Sequence, residues 1–115
     1  MPKESPNLAK DFYTIVYEIV EQIPFGRVTT YGAIANAIGS KKSSRLVGIA
    51  MNHSHEIAPN LPAHRVVNRS GILTGQHHFL GEKSMIKLLT DEGLTIENNH
   101  VQQFEHIFWD PLNEL

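Results

Sequence analysis

Seven histidines and not one cysteine set the chemistry open to this chain. Without cysteine there is no disulfide, no thiolate zinc site, no redox pair and no sulfur nucleophile. The histidines fall partly in pairs, His53-Ser54-His55 and His77-His78, and imidazole pairs can gather a divalent metal. No HExxH spacing and no well-spaced carboxylate accompanies them, so the expectation is adventitious metal affinity, with no metal site and no cofactor. The other chemistry-bearing groups are cations. Eight of the ten Lys and Arg residues lie between Arg27 and Lys87, where the only acids are Glu56 and Glu82. That middle segment has a surplus of six positive charges inside a chain of formal net charge −2. It could face phosphate while acidic ends keep the whole slightly anionic, and neutralising contacts between ends and middle would give the same balance.

The elements that must position these groups have to come from 115 residues, 41% of them hydrophobic. That is enough for one compact domain over 1–115 and one modest core. No apolar run approaches the roughly 20 residues that span a bilayer. The start, Met1-Pro2-Lys3-Glu4-Ser5-Pro6, has no apolar stretch and no small-residue cleavage site. The expected location is therefore the cytoplasm, at the nucleoid, or the nucleus of a eukaryote.

Phe12, Ile15, Val16, Ile19, Val20 and Ile23 recur at helical spacing, which predicts an amphipathic helix from about Asp11 to Gln22, stopped by Pro24-Phe25-Gly26. After the β-branched Arg27-Val28-Thr29, Thr30 is placed to cap a helix over Tyr31–Ile38, with Gly39 as its left-handed stop. Ser43 is placed to cap a second short helix, Ser44–Met51. Two such helices across a tight glycine turn predict a helix-turn-helix. Asn52 to Pro62 reads as an irregular loop. Asn68-Arg69-Ser70-Gly71 between His64–Val67 and Ile72-Leu73 predicts a small hairpin or wing. A last helix from Phe79 or Glu82 to Glu92 turns Met85, Ile86, Leu88 and Leu89 inward and stops at Gly93, and Phe104, Ile107, Phe108 and Trp109 fold the tail back onto the core. The fold class expected is mainly α with a small β hairpin, a winged helix-turn-helix.

On a recognition helix, Gly48 and Ala50 let a backbone approach DNA closely, and Arg45, near its start, can reach base edges or the stack. Pro62-Ala63-His64-Arg65-Val66-Val67 is more specific. Taken with Tyr31, Ser44-Arg45-Leu46-Val47-Gly48-Ile49-Ala50-Met51 and Glu92-Gly93, it makes the chain from about Phe12 to Gly93 resemble the DNA-binding domain of O6-alkylguanine-DNA alkyltransferases. In those repair enzymes Pro-Cys-His-Arg-Val supplies the cysteine that accepts the alkyl group. Here Ala63 stands in its place, and a methyl group has no lone pair to attack with. The pattern is similar to the alkyltransferase-like proteins, which bind O6-alkylguanine without repairing it and pass the site to nucleotide excision repair.

The resemblance implies a role for each matching residue. Tyr31 crowds the phosphate 3′ of the target and helps rotate the nucleotide out. Arg45 fills the gap with its planar guanidinium. Thr30, Ser44 and Gly48 complete the DNA-contacting set. Ala63 lines the lesion pocket with Tyr31; His64 and Glu92, the proton-handling pair of the enzymes, are left with a structural or base-contacting role. Arg65 supports the loop, and Arg69 reaches the DNA or the face of the modified base. Two departures stand out. Asn52-His53-Ser54-His55 replaces an Asn-Pro, and Thr74-Gly75-Gln76-His77-His78-Phe79-Leu80-Gly81 lacks the Tyr-Ser pair that contacts guanine O6.

Three functions remain open on the residues. The first is a non-enzymatic sensor, acting as a monomer, that flips O6-alkylguanine out of duplex DNA and flags it for nucleotide excision repair proteins. The second is a sequence-reading helix-turn-helix regulator. The third is an alkyltransferase whose cysteine has been exchanged for alanine.

Overall fold

The computed structural model describes residues 4–39, 43–75, 79 and 84–115, with side chains from Phe12 onward. The first helix, α1, runs over Glu4–Glu21 and starts seven residues earlier than its apolar stripe predicts. Pro6 lies in the first turn, where a missing N–H has no intrahelical partner to lose. Val16 and Val20 are fully buried and Ile19 and Ile23 nearly so, whereas Ile15 is exposed, so the buried stripe is narrower than the apolar one. Pro24-Phe25-Gly26 ends the segment as expected, with Gly26 at φ 81°.

Strand β1, Thr29–Thr30, leads into α2, Tyr31–Ile38. Thr30 Oγ1 accepts from the Ala33 N–H at 3.0 Å, and Gly39 stops the helix at φ 96°. Helix α3 then runs over Ser44–Ile57, two turns beyond Met51. Ser43 occupies its N-cap position, but its side chain makes no cap hydrogen bond. The extension replaces half of the expected 52–62 loop: without a proline until Pro59, nothing halts the backbone ladder at Asn52. Buried Val47, Ala50, Met51 and Ser54 keep α3 against α1 and α2. Tyr17 donates its hydroxyl to the Ala50 carbonyl at 2.6 Å, tying α1 to α3 from behind.

The expected hairpin between 64–67 and 72–73 does not form. Strand β2, Val66–Val67, pairs instead in parallel with β1, Thr29 opposite Val66 and Thr30 opposite Val67. Asn68 makes the turn that the residues predict, its Oδ1 accepting from the Ser70 and Ile72 N–H groups. The antiparallel hairpin lies further on, β3 Ile96–Glu97 against β4 His100–Val101, across Asn98 and Asn99, both at positive φ. Such a two-residue turn matches the twist of the strands it joins.

Helix α4 covers Met85–Asp91, with Ser84 Oγ accepting from the Lys87 N–H. Its predicted start at Phe79 or Glu82 is too early at Phe79, and Glu82 is outside the described residues. Met85 and Leu89 are buried and Leu88 half-buried, but Ile86, expected inward, is 41% exposed: a helix of seven residues has room for one narrow apolar face. Short helices α5, Phe104–Ile107, and α6, Pro111–Glu114, close the chain. The tail folds back as expected, with Trp109 buried and Val28 bridging in parallel to Phe108. Arg27 fastens it, donating to the carbonyls of Ile107 and Phe108 and pairing with Glu114. Among the described residues no helix is long and apolar enough to cross a membrane.

Candidate nucleic-acid interface

Ala63 opens a 3-10 turn, Ala63–Arg65, between the 58–62 loop and β2, and is 8% exposed. Behind it stands Glu92, at the end of α4, its side chain 5% exposed. His64 Nε2 lies 2.6 Å from Glu92 Oε2. Arg65 Nε donates to both carboxylate oxygens, at 3.1 and 2.9 Å, and Arg65 Nη1 reaches the Ile23 carbonyl. The Gly26 N–H donates to Glu92 Oε1 at 2.7 Å. Burial works against charge on Glu92, but the hydrogen bonds from Arg65, Gly26 and His64 outweigh it and hold the carboxyl below its ordinary value. Burial dominates at His64, lowering its pKa although Glu92 pulls the other way. At neutral pH the site therefore holds a carboxylate and a neutral imidazole whose Nε2–H donates to it. One carboxylate thus clips the turn after α1, the 3-10 turn and the end of α4 together. Arg65, assigned to loop support, does this, and also lies 5.7 Å below the Phe25 ring.

The helix-turn-helix brings Tyr31, Gly48 and the 74–75 loop to one place. A Cβ on Gly48 would stand 4.0 Å from the Tyr31 ring, and one on Gly75 only 3.4 Å from its hydroxyl. Thr74 Oγ1 donates to that hydroxyl at 3.4 Å. Two glycines, one on each side, make the room in which this tyrosine sits. Arg45, in the first turn of α3, is exposed, and Ile49 and Asn52 continue its row along the same outer face; Ser44 beside it is half-buried. Thr30 is 7% exposed and its hydroxyl is spent on the α2 cap.

Two cavities meet at Ala63. The larger, of about 530 Å³, runs along the 58–62 loop to His64, Arg65 and Leu88. The smaller, about 10 Å³, lies under Tyr31 between Met51, Asn52, Val66 and Met85. His55, Ala63 and Phe79 belong to both walls. Glu92 and Arg69 belong to neither: Glu92 stands behind His64, and Arg69 is exposed in the 68–71 turn. His55 and Phe79 were not singled out as pocket residues by sequence. The departure from Asn-Pro at 52–55 was the available signal for His55, while Phe79 read as the start of a helix.

The first histidine pair makes ring contacts. His53 stacks on Tyr13 with centroids 5.7 Å apart, and His55 meets Phe79 edge to face at 4.7 Å. Among the described residues no three His, Asp or Glu side chains converge on a metal position, and His77 and His78 lie outside those residues, as do Lys41, Lys42 and Lys83.

Residues 11–94 match the profile of the 6-O-methylguanine DNA methyltransferase DNA-binding domain. The chain is 35% identical to Alkyltransferase-like protein 1 of Schizosaccharomyces pombe over 105 residues, 88% of this chain and 96% of that one. The fold matches S. pombe Atl1 in complex with damaged DNA containing O6-carboxymethylguanine at a TM-score of 0.72 and 34% identity, covering 87% of this chain and 95% of the other. It also matches Mycobacterium tuberculosis O6-methylguanine methyltransferase at a TM-score of 0.58 and 38% identity, over 71% of this chain but 48% of that enzyme. The likeness thus spans nearly the whole of the S. pombe protein and about half of the enzyme. With alanine where the enzymes have their acceptor cysteine, the chain belongs to the 6-O-methylguanine DNA methyltransferase DNA-binding-domain family as an alkyltransferase-like protein.

Proposed function

We propose that this protein binds O6-alkylguanine in duplex DNA, holds the extruded base against Ala63 without taking its alkyl group, and so marks the lesion for nucleotide excision repair. The observation that carries this reading is the buried Ala63 methyl at the junction of both cavities, in a chain with no cysteine to replace it. Alkyl transfer needs a lone pair aimed at the carbon, and neither a methyl group nor an imidazole already engaged with Glu92 offers a thiolate's reactivity. What remains is a binding device.

Extruding a base costs a few kcal/mol of lost stacking. The parts assigned to offset this cost are carried by α2 and α3. α3 enters the minor groove with Gly48 inward, Arg45 fills the vacated stack, and Tyr31 presses on the flanking phosphate. The smaller cavity, at about 10 Å³, has room for one water molecule at most, since a single water needs about 10–15 Å³ of such space. An incoming base must therefore part Tyr31 from Thr74 and occupy the space between Met51 and Val66. Its O6 substituent then points past Ala63 toward the larger cavity. Exposed cations of the middle segment, Arg45 and Arg69 among them, meet the DNA backbone, whereas Arg27 and Arg65 are held in ion pairs within the fold, so affinity falls with salt.

The test is a fluorescence titration with two duplexes of one sequence, differing only by an O6-methyl group on a single guanine. Preference for the methylated duplex, with the intact mass of the protein unchanged afterwards, is the expected result. Equal affinity for both would favour a sequence-reading regulator, and a gain of 14 Da would mean transfer.

A further inference from the structure

His55 and Phe79 stand between the two cavities as a closed pair of rings, centroids 4.7 Å apart and planes at 87°. Among the described residues the third one common to both walls is Ala63, whose side chain is a single methyl. On the near side is the narrow space under Tyr31; on the far side lies the compartment of about 530 Å³. Apolar Ala58, Leu61, Pro62 and Leu88 form part of its wall and polar Asn60, His64 and Arg65 another part, and among the described residues no carboxylate lines it.

We infer that the His55–Phe79 pair is the element that decides which O6 substituents the protein accepts. The inference rests on the lesion-binding reading above. A methyl group on a base held over Ala63 stops short of the rings. An aryl or long alkyl substituent has to part them to reach the far compartment, where Ala58, Leu61, Pro62 and Leu88 then cover part of its apolar surface. The pair acts as a size filter, and its strength is that of one edge-to-face aromatic contact, about tenfold in an equilibrium constant. Both residues lie where this chain departs from the pattern of the enzymes, at the end of α3 and in the loop after the 68–71 turn. The extension of α3 past Asn52 is what brings His55 to the partition.

The experiment measures affinities for duplexes that carry O6-methylguanine, O6-benzylguanine or guanine at one position, using the full chain, H55A and Phe79→Leu. Leucine keeps apolar volume at a residue that packs against both core clusters but removes the ring pair. The expected result is a rise of about tenfold in the benzyl-to-methyl affinity ratio in each variant. A ratio unchanged or lowered in both, in proteins that melt like the parent and still prefer O6-methylguanine to guanine, overturns the filter while leaving lesion binding intact. Loss of the preference in the unaltered protein overturns lesion binding itself, and the filter with it.

Discussion

Around Ala63 the molecule is built in two manners. On one side Glu92 is almost fully buried and receives hydrogen bonds from Gly26, His64 and Arg65, so three chain segments depend on a single carboxylate. On the other side Arg45 is exposed, and Tyr31 holds the 74–75 loop through one long hydrogen bond of 3.4 Å to Thr74. On the lesion-binding reading proposed above, the first region carries stability and the second meets the DNA. The difference accounts for the survival of the histidine–glutamate pair in a chain without a thiol to activate. The pair is a structural clip, and an alanine at position 63 leaves that clip untouched.

Breaking the clip should have the largest effect. Glu92→Ala leaves Arg65 and His64 without their carboxylate and should lower stability by about 3–5 kcal/mol, read by denaturant unfolding. A loss below about 1 kcal/mol would mean that the carboxylate is only a surface partner. Arg45→Ala inverts the pattern. Its melting temperature should match the parent, while affinity for an O6-methylguanine duplex drops about 100-fold, the scale of the stacking it no longer replaces. If instead melting shifts and affinity holds, the two regions have been assigned the wrong way round.

The acid limb of stability sharpens the same contrast. Glu92 has a folded pKa below its ordinary value of 4.5, so its contribution is complete above that value and is lost as pH falls toward the folded one. His64 also has a lowered folded pKa, so the unfolded chain takes up the proton first. Stability therefore starts to fall below the ordinary value of 6.5 and levels off once pH passes the folded value. Melting temperature should thus decline in two stages from neutral pH downward. His64→Asn should remove the upper stage and Glu92→Gln the lower. Single-stage curves unaltered by His64→Asn would show that the imidazole is not buried in neutral form.

Much of the frame was legible in the residues because local rules govern it. Thr30 and Gly39 mark the ends of α2 by side-chain oxygen and left-handed backbone, and the apolar spacing of α1 and the return of Trp109 follow from burial. The parallel pairing of Val66–Val67 with Thr29–Thr30 was not legible, since it joins segments 37 residues apart and neither strand is long enough to show a period. The continuation of α3 to Ile57 escaped notice because polar residues at 52–55 resemble a loop until Ser54 is seen buried with its hydroxyl on the Met51 carbonyl. The motifs pointed to Ala63, His64, Tyr31 and Arg45 together; Ala63 and Tyr31 line one cavity, while His64 is engaged with Glu92 and Arg45 is exposed on α3. The ring pair at His55 and Phe79 could emerge only from three-dimensional packing.

The smallest effect concerns the back of the recognition helix. Tyr17→Phe removes the buried hydrogen bond to the Ala50 carbonyl, a loss of about 1 kcal/mol by thermal unfolding. Ser54, Met51 and Val47 still pack α3 in place, so affinity for the lesion duplex should stay within about twofold of the parent. That outcome would show that the recognition face tolerates slack behind it. A fall in affinity well beyond the loss of stability would mean that Tyr17 sets the pitch of α3 in the groove, and the division between a load of stability on one side and of recognition on the other would have to be redrawn through α1.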